Sequence, residues 1–137
     1  MPSTLRACFP LAIAALAAPA TAASAQTAPA HFAPAQAEHG ADLYRQRCAQ
    51  CHGDNLNDGE FGPSLKGAFF KGQWGGKTVG ELFTLLTTTM PPGQVGVMTP
   101  DDYADLMALL LKANAVAAEG APLPADPKAL AGLTIAK

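Results

Sequence analysis

The residues best suited to chemistry in this sequence stand together in one short string, Cys48-Ala49-Gln50-Cys51-His52. Two thiols three positions apart, followed at once by an imidazole, match the C-x-x-C-H pattern of c-type haem attachment. The two thiols can bond to the two vinyl groups on one edge of a porphyrin. The imidazole can then serve as a permanent axial ligand of the iron. The string therefore predicts one covalently attached haem c, with His52 as an iron ligand.

Two other uses of these residues have to be weighed against haem attachment. A thioredoxin-like pair of cysteines is expected beside a β-α-β unit, and the sequence has no pattern of that kind. A structural zinc site needs about four ligands. The candidates are Cys48, Cys51 and the histidines at 31, 39 and 52, and the first two histidines lie in or near a Pro-rich segment. Both alternatives explain these residues less well than haem attachment does.

The group on the other side of the iron decides whether such a haem transfers electrons or binds small molecules. Of the four methionines, Met1 precedes a predicted cleavage site and Met107 belongs to an apolar helical stripe. Met90 comes directly before the rigid Pro91-Pro92 pair and is the preferred sixth ligand, with Met98 as the second candidate. If neither methionine binds, the iron is open, and the alternative function is a gas sensor or a peroxidase.

The first 25 residues have the anatomy of a secretory signal peptide. Arg6 is followed by an apolar run over residues 7–18, which is too short to span a bilayer. Ala23-Ser24-Ala25 then offers a cleavage site before Gln26. We therefore expect a periplasmic protein without a membrane span in the mature chain. Cys8 would be removed with the signal peptide, which leaves only Cys48 and Cys51 and no set of disulfides. A covalent haem would then be the link that stabilises a small core.

The charge balance argues against one class of partner. The chain has 9 basic and 11 acidic residues; removal of Arg6 leaves 8 against 11, a net charge of −3. No stripe of Lys and Arg is available to neutralise phosphates, so binding to nucleic acid is not expected.

The remaining sequence predicts helices joined by long loops. Residues 26–37 are rich in Ala and Pro and predict a flexible leader, and residues 115–137 predict a Pro-rich tail. Helical spacing of apolar residues predicts a first helix over about residues 38–49. Residues 53–77 contain seven glycines and no sustained period, which predicts a long loop of the kind that wraps a ligand.

Two more helices carry clear start signals. Thr78 and Glu81 fit a capping box, and the helix that follows must stop at Pro91-Pro92. Thr99 and Pro100 suit the first positions of a last helix. That helix has a single apolar stripe, formed by Tyr103, Leu106, Met107, Leu110 and Leu111. The predicted fold is an all-α domain over residues 38–114.

Together these strings resemble the class I cytochrome c family, and they are most similar to haem domains and subunits of quinoprotein alcohol dehydrogenases. The resemblance implies a class I cytochrome c fold, with three or more helices and long Gly-rich loops wrapped around one covalent haem. It also implies a single-electron carrier rather than an enzyme, either diffusible or the small haem subunit of a dehydrogenase. The strings that carry the resemblance are Gly40-x-x-x-Tyr44-x-x-x-Cys48, Cys48 to His52, Gly62-Pro63-Ser64-Leu65-Lys66-Gly67, Thr88-Thr89-Met90-Pro91-Pro92-Gly93 and Tyr103-Ala104-Asp105-Leu106-Met107-Ala108-Leu109-Leu110.

The resemblance further assigns roles at the haem. The Pro63 carbonyl would accept a hydrogen bond from the Nδ1–H of His52, which fixes the ring and raises its basicity. Leu65 would pack on the porphyrin. The indole N–H of Trp74 would point to a haem propionate, the alternative being that Trp74 simply packs on the surface.

By the same resemblance, Gly40 and Tyr44 lie where the first helix crosses the last, near Leu106 and Leu109. The glycine permits close approach of the two backbones. The expected partners are redox proteins, with a dehydrogenase as donor and an oxidase or another cytochrome as acceptor. The exposed haem edge would dock through residues around Cys51, the Met90 loop and residues 94–97.

Overall fold

The computed structural model describes residues 28–137, so the predicted signal peptide and the first two residues of the predicted leader lie outside it. The described chain is mostly helical, as the sequence predicts, and its strands are only two residues long. The helices are α1 (Pro34–Arg47), α2 (Ala49–His52), α3 (Ala68–Trp74), α4 (Val79–Thr89), α5 (Pro100–Ala113) and α6 (Pro127–Leu130). The strands are β1 (Ala28–Pro29), β2 (His31–Phe32), β3 (Ala118–Glu119) and β4 (Leu133–Thr134).

The crossing of α1 over α5 is the main helix contact of the fold. It is closest at Gly40, where an added Cβ would lie 2.0 Å from the Asp105 carbonyl oxygen and 3.0 Å from the Leu106 nitrogen. Only a residue without a side chain fits between the two backbones. Tyr44, one turn further along α1, is 4% exposed and fills the crossing. The crossing that the family resemblance implies is therefore confirmed.

The predicted starts of α4 and α5 are also confirmed. The Glu81 N–H donates to Thr78 Oγ1 at 3.2 Å, and the Thr78 N–H donates to the Glu81 carboxylate at 2.8 Å. Thr99 and Asp102 exchange the same pair of bonds, at 3.2 and 2.9 Å. Each box satisfies N–H groups that the first turn of a helix leaves without partners. The predicted apolar stripe of α5 is buried along its whole length.

The N-terminal boundary differs from the prediction. Helix α1 begins at Pro34 rather than near residue 38, because Pro34 suits the first helical position and Gln36 Oε1 accepts the Ala33 N–H at 3.3 Å. The residues before it are not a flexible leader from residue 28 onward. β1 pairs in parallel with β4, β2 pairs in parallel with β3, and Phe32 is 2% exposed.

The C-terminal segment after α5 is a folded arm rather than a loose tail. Its helix α6 packs on α4 so closely that a Cβ at Gly80 would lie 2.9 Å from the Pro127 carbonyl oxygen. The arm buries the apolar residues Val116, Leu123, Leu130, Leu133 and Ile135. The sequence offers no periodic signal here, because strands of two residues are too short for alternation to be detected.

The predicted loop over residues 53–77 contains α3, which the sequence analysis missed. The helix has only seven residues, with Gly72 inside it, so intrinsic propensity is low. Phe70 is 1% exposed and anchors the helix in the core. The side chain of Asn114 ties the preceding loop to the end of α5, because its Oδ1 accepts the Gly67 N–H and its Nδ2 donates to the Leu65 carbonyl, both at 2.9 Å.

The crossing makes a prediction about stability. Gly40→Ala should lower the free energy of unfolding by about 1–3 kcal/mol, because the added methyl group forces two backbones apart. Gly72→Ala is the matched control, since its Cβ meets nothing within 4 Å inside a helix; it should stabilise by about 0.5–1 kcal/mol. Urea unfolding of the haem-loaded protein measures both. Equal effects of the two substitutions would contradict the crossing.

The same crossing predicts a dependence of stability on pH. His39 Nδ1 lies 2.7 Å from Asp105 Oδ2, and this hydrogen bond, helped by the Asp105 charge, raises the pKa of His39 above 6.5. A raised folded-state pKa stabilises below the unfolded pKa, and that stabilisation is lost as the pH rises through the folded pKa. H39Q should therefore lower Tm at about pH 5.5 and leave it unchanged at about pH 8.5. Equal losses at both values would rule out a titrating pair.

Candidate haem site

An apolar cavity of about 330 Å³ lies where the end of α1, the loop after α2, the end of α4 and α5 meet. Its volume is within the range of small-molecule sites, which begins near about 300 Å³. Six of the seven site residues predicted from the sequence line this cavity together, namely Cys48, Cys51, His52, Pro63, Leu65 and Met90. Trp74 is not among the lining residues. Further lining residues are Tyr44, Arg47, Phe61, Gly62, Leu86, Pro91, Pro92, Met98, Tyr103, Leu106 and Leu110.

The imidazole of His52 is held in one orientation by contacts at its Nδ1 edge. Its Nδ1 lies 2.9 Å from the Pro63 carbonyl oxygen. A carbonyl can only accept, so Nδ1 carries the proton and Nε2 keeps the lone pair that a metal ligand needs. An added Cβ at Gly62 would lie 2.5 Å from the same Nδ1. The glycine therefore lets the loop lie flat against the ring, and the Gly62 N–H closes that loop on the Cys51 carbonyl at 2.9 Å.

The two thiols are free, with Cys48 partly buried and Cys51 exposed. Burial, followed by the neighbouring Cys51, raises the pKa of the Cys48 thiol to about 11. Cys48 is therefore a neutral thiol at neutral pH and can sit against apolar walls. Free thiols, an imidazole with its lone pair on Nε2, a thioether and apolar walls around one cavity fit haem c, and they fit a hydrated metal ion poorly.

The chain turns sharply after His52, and Tyr44 holds that turn. The Tyr44 hydroxyl donates to the Gly53 carbonyl at 2.6 Å. Burial raises the pKa of Tyr44 to about 12, so the hydroxyl stays protonated and can donate. Gly53 has a φ of 83°, a left-handed conformation that favours glycine. The Asp58 side chain closes the turn by accepting the Asn55 N–H at 2.9 Å.

Met90 reaches the cavity from the end of α4. Its N–H donates to the Leu86 carbonyl at 3.0 Å, and its own carbonyl accepts the Tyr103 hydroxyl at 2.7 Å. Met98 lines the same cavity from the residue before the Thr99 cap. The structure therefore brings both methionine candidates to the site.

Trp74 lies at the end of α3, and the Lys77 Nζ stands 4.9 Å from the centroid of its ring. This geometry is a cation–π contact of a partly exposed side chain, and the contact with a haem propionate stays a prediction. Sequence reasoning missed two residues that support the site, Tyr103 and Asn114. Tyr103 belongs to the apolar stripe of α5, and that pattern does not indicate a hydrogen bond by its hydroxyl. An Asn directly after a helix indicates only where the helix ends.

Comparison with known families agrees with this geometry. A family model described as cytochrome c oxidase, cbb3-type, subunit III matches residues 35–110, which is more than half of the chain. The chain belongs to this family. It is a mono-haem c-type cytochrome domain, and its chemistry is haem-based electron transfer. Neither the curated proteins nor the solved structures gave a significant match.

The family match covers the cavity of this cytochrome but not its two arms. Residues 35–110 contain every residue that lines the cavity. The strand pairs and α6, over residues 28–32 and 118–134, lie outside the match. The family match thus includes all of the cavity lining and leaves out both arms.

The loop behind His52 makes a prediction about the haem-loaded cytochrome. Gly62→Ala should displace the imidazole and weaken its bond to Pro63, which makes the ring a poorer electron donor to the iron and raises the midpoint potential. The midpoint potential depends on how much stronger this hydrogen bond is in the oxidised than in the reduced state. A difference of about 1 kcal/mol, the size of one hydrogen bond, would shift the potential by on the order of 40 mV, since tenfold is 59 mV for a one-electron couple.

A spectroelectrochemical titration measures that potential. Gly120→Ala is the matched control, because its Cβ would make only an ordinary contact, 3.5 Å from His31. A Gly62→Ala protein with the same potential as the Gly120→Ala protein would show that the loop does not set the orientation of His52.

Proposed function

We propose that this cytochrome is an exported single-electron carrier that holds one haem c, with His52 and Met90 as the axial ligands. The observation that carries the proposal is that both side chains line one apolar cavity with the two thiols. Each of the two residues is held by a hydrogen bond to the protein, His52 through the Pro63 carbonyl and Met90 through the Tyr103 hydroxyl. The bound haem would supply a one-electron iron couple.

Burial favours Met90 over Met98 as the sixth ligand. Met98 is only 9% exposed, because protein atoms of the core already cover it. Its withdrawal toward an iron would cost that packing. Met90 is half-buried and gives up less of its existing contact area. A thioether ligand opposite an imidazole, in an apolar cavity, raises the reduction potential and suits electron transfer.

The chain's own residues perform three tasks in this function. Cys48 and Cys51 would keep the haem attached in an open, extracytoplasmic environment. The apolar walls, which include Leu65 and Leu110, would exclude water and disfavour the extra charge of the oxidised state. Pro63 would hold the proton on Nδ1 of His52, so that the other nitrogen stays available to the iron.

An apolar rim beside the cavity supports transient docking of redox partners. Phe61, which lines the cavity, is 81% exposed, and Val95 and Val97 in the loop after Met90 are 51% and 48% exposed. Cys51 is also exposed. Cys51, Val95 and Val97 belong to the docking face that the sequence analysis predicts, and Phe61 extends it. Because the chain's net charge is small, docking should depend on apolar contact more than on steering by charge.

The structure supports a diffusible carrier over the small haem subunit of a dehydrogenase. A C-terminal tail that docked on a dehydrogenase would need free apolar residues, and in this chain Leu123, Leu130 and Ile135 are buried against the chain itself.

Among residues 28–137, no helix is both long and apolar enough to cross a membrane. Export depends on the predicted leader, residues 1–25.

The visible spectrum of the oxidised and reduced protein tests the axial ligands. We expect sharp low-spin reduced bands and, in the oxidised protein, the weak far-red band of a methionine–iron bond. M90A should abolish the far-red band. M98L should keep it, because leucine preserves the packing of a core position. Loss of the band in M98L alone would assign the ligand to Met98, and a high-spin wild type would favour the gas sensor or peroxidase.

Mass spectrometry of the same preparation, taken from the periplasmic fraction, tests export. The mature chain should begin at Gln26 and carry the mass of one haem. A chain that keeps residues 1–25 would contradict the cleavable leader, and co-purification with a larger dehydrogenase would contradict the diffusible carrier.

A further inference from the structure

We infer that Tyr103 is a positioning residue for the sixth ligand: it holds the backbone of Met90 at the cavity and thereby keeps outside ligands from the iron. The inference rests on the proposed role of Met90. Tyr103 is not itself a candidate iron ligand, and it acts only through Met90.

The Met90 carbonyl has no donor in its own part of the chain. Met90 is the C-cap residue of α4, and the carbonyl groups at the C-terminal end of a helix have no partner within the helix. The next two residues are Pro91 and Pro92, which have no N–H to offer. The Gln94 N–H donates to the Pro91 carbonyl instead, at 3.0 Å. The hydroxyl of Tyr103, 2.7 Å away, is the donor that the fold supplies.

Tyr103 is itself fixed in place. It is 2% exposed and stands in the first turn of α5, directly after the capping box of Thr99 and Asp102. Its N–H donates to the Thr99 carbonyl at 3.2 Å. Two residues later, Asp105 meets Gly40 at the crossing with α1. The hydroxyl is therefore presented by a rigid element and cannot follow the Met90 loop if that loop moves.

Met90 is thus bonded to two different helices. Its N–H is held by Leu86 of α4 and its carbonyl by Tyr103 of α5. A thioether is a neutral and weakly held ligand, so its competition with outside ligands depends on how little freedom it loses on binding. A backbone fixed in advance lowers that entropic cost. Removal of the Tyr103 hydroxyl leaves the Met90 carbonyl without a donor and frees the loop.

A second tyrosine in the chain makes a hydrogen bond of the same chemical kind and can serve as a control for Tyr103. Its two tyrosines both line the cavity, and both donate to a loop carbonyl, Tyr44 to Gly53 at 2.6 Å and Tyr103 to Met90 at 2.7 Å. Only the second bond holds the sixth ligand. Y103F and Y44F therefore remove equivalent bonds from the two sides of the site.

Imidazole titration of the oxidised, haem-loaded protein tests the inference, with the far-red methionine band as the signal that is lost. Y103F should bind imidazole about tenfold more tightly than the wild type, which corresponds to about 1.4 kcal/mol. Y44F should bind it less than about threefold more tightly, although urea unfolding shows both variants destabilised. Y103L also lacks the hydroxyl and should repeat the effect if Y103F accumulates poorly.

The variant M90A separates positioning from a general opening of the pocket. M90A and M90A/Y103F should bind imidazole equally, because no methionine remains to compete. Tenfold tighter binding by the double variant than by M90A would overturn the inference. A far-red band that M90A abolishes, together with a Y103F protein of unchanged imidazole affinity, would overturn the inference while leaving Met90 as the ligand. A wild type without the band would refute Met90 ligation and this inference together.

Discussion

The close approach of α1 and α5 at Gly40 is the contact on which the haem site depends. Toward the end of α1 stand Tyr44 and then the attachment string, so the crossing sets where the thiols and His52 lie. Two residues before the crossing, α5 carries Tyr103, whose hydroxyl holds Met90. One backbone contact, possible only without a side chain, thus fixes the relative position of both groups proposed to bind the iron.

The loops around the cavity are held by side chains rather than by backbone ladders. Glycines and prolines recur in these loops, which form no regular helix or strand, so carbonyls without a backbone partner must find donors elsewhere. Residues within the helices, or directly after a helix, supply those donors across the fold. Four such bonds surround the site: Tyr44 to Gly53, His52 to Pro63, Asn114 to Leu65 and Tyr103 to Met90. The site is therefore rigid although much of its lining is irregular, which suits a reaction that needs little motion.

The two arms stabilise the domain without entering the site. β1 and β2 of the N-terminal arm pair with β4 and β3 of the C-terminal arm, and α6 covers α4. No residue of either arm lines the cavity. The arms also lie outside the family match at residues 35–110. Their apolar residues extend the small core of the cytochrome, while the cavity and its exposed rim stay accessible to redox partners.

The sequence by itself determined the features that depend on near neighbours: the C-x-x-C-H string, the caps at Thr78 and Thr99, and the apolar stripe of α5. Each is a pattern within a few residues, so its physical cause is local. Tertiary structure alone decided the existence of α3 and the folding of both arms. It also decided the bond between Tyr103 and Met90. These features arise between groups far apart in the chain, such as Ala28 and Leu133, where no local pattern records which partner will be near.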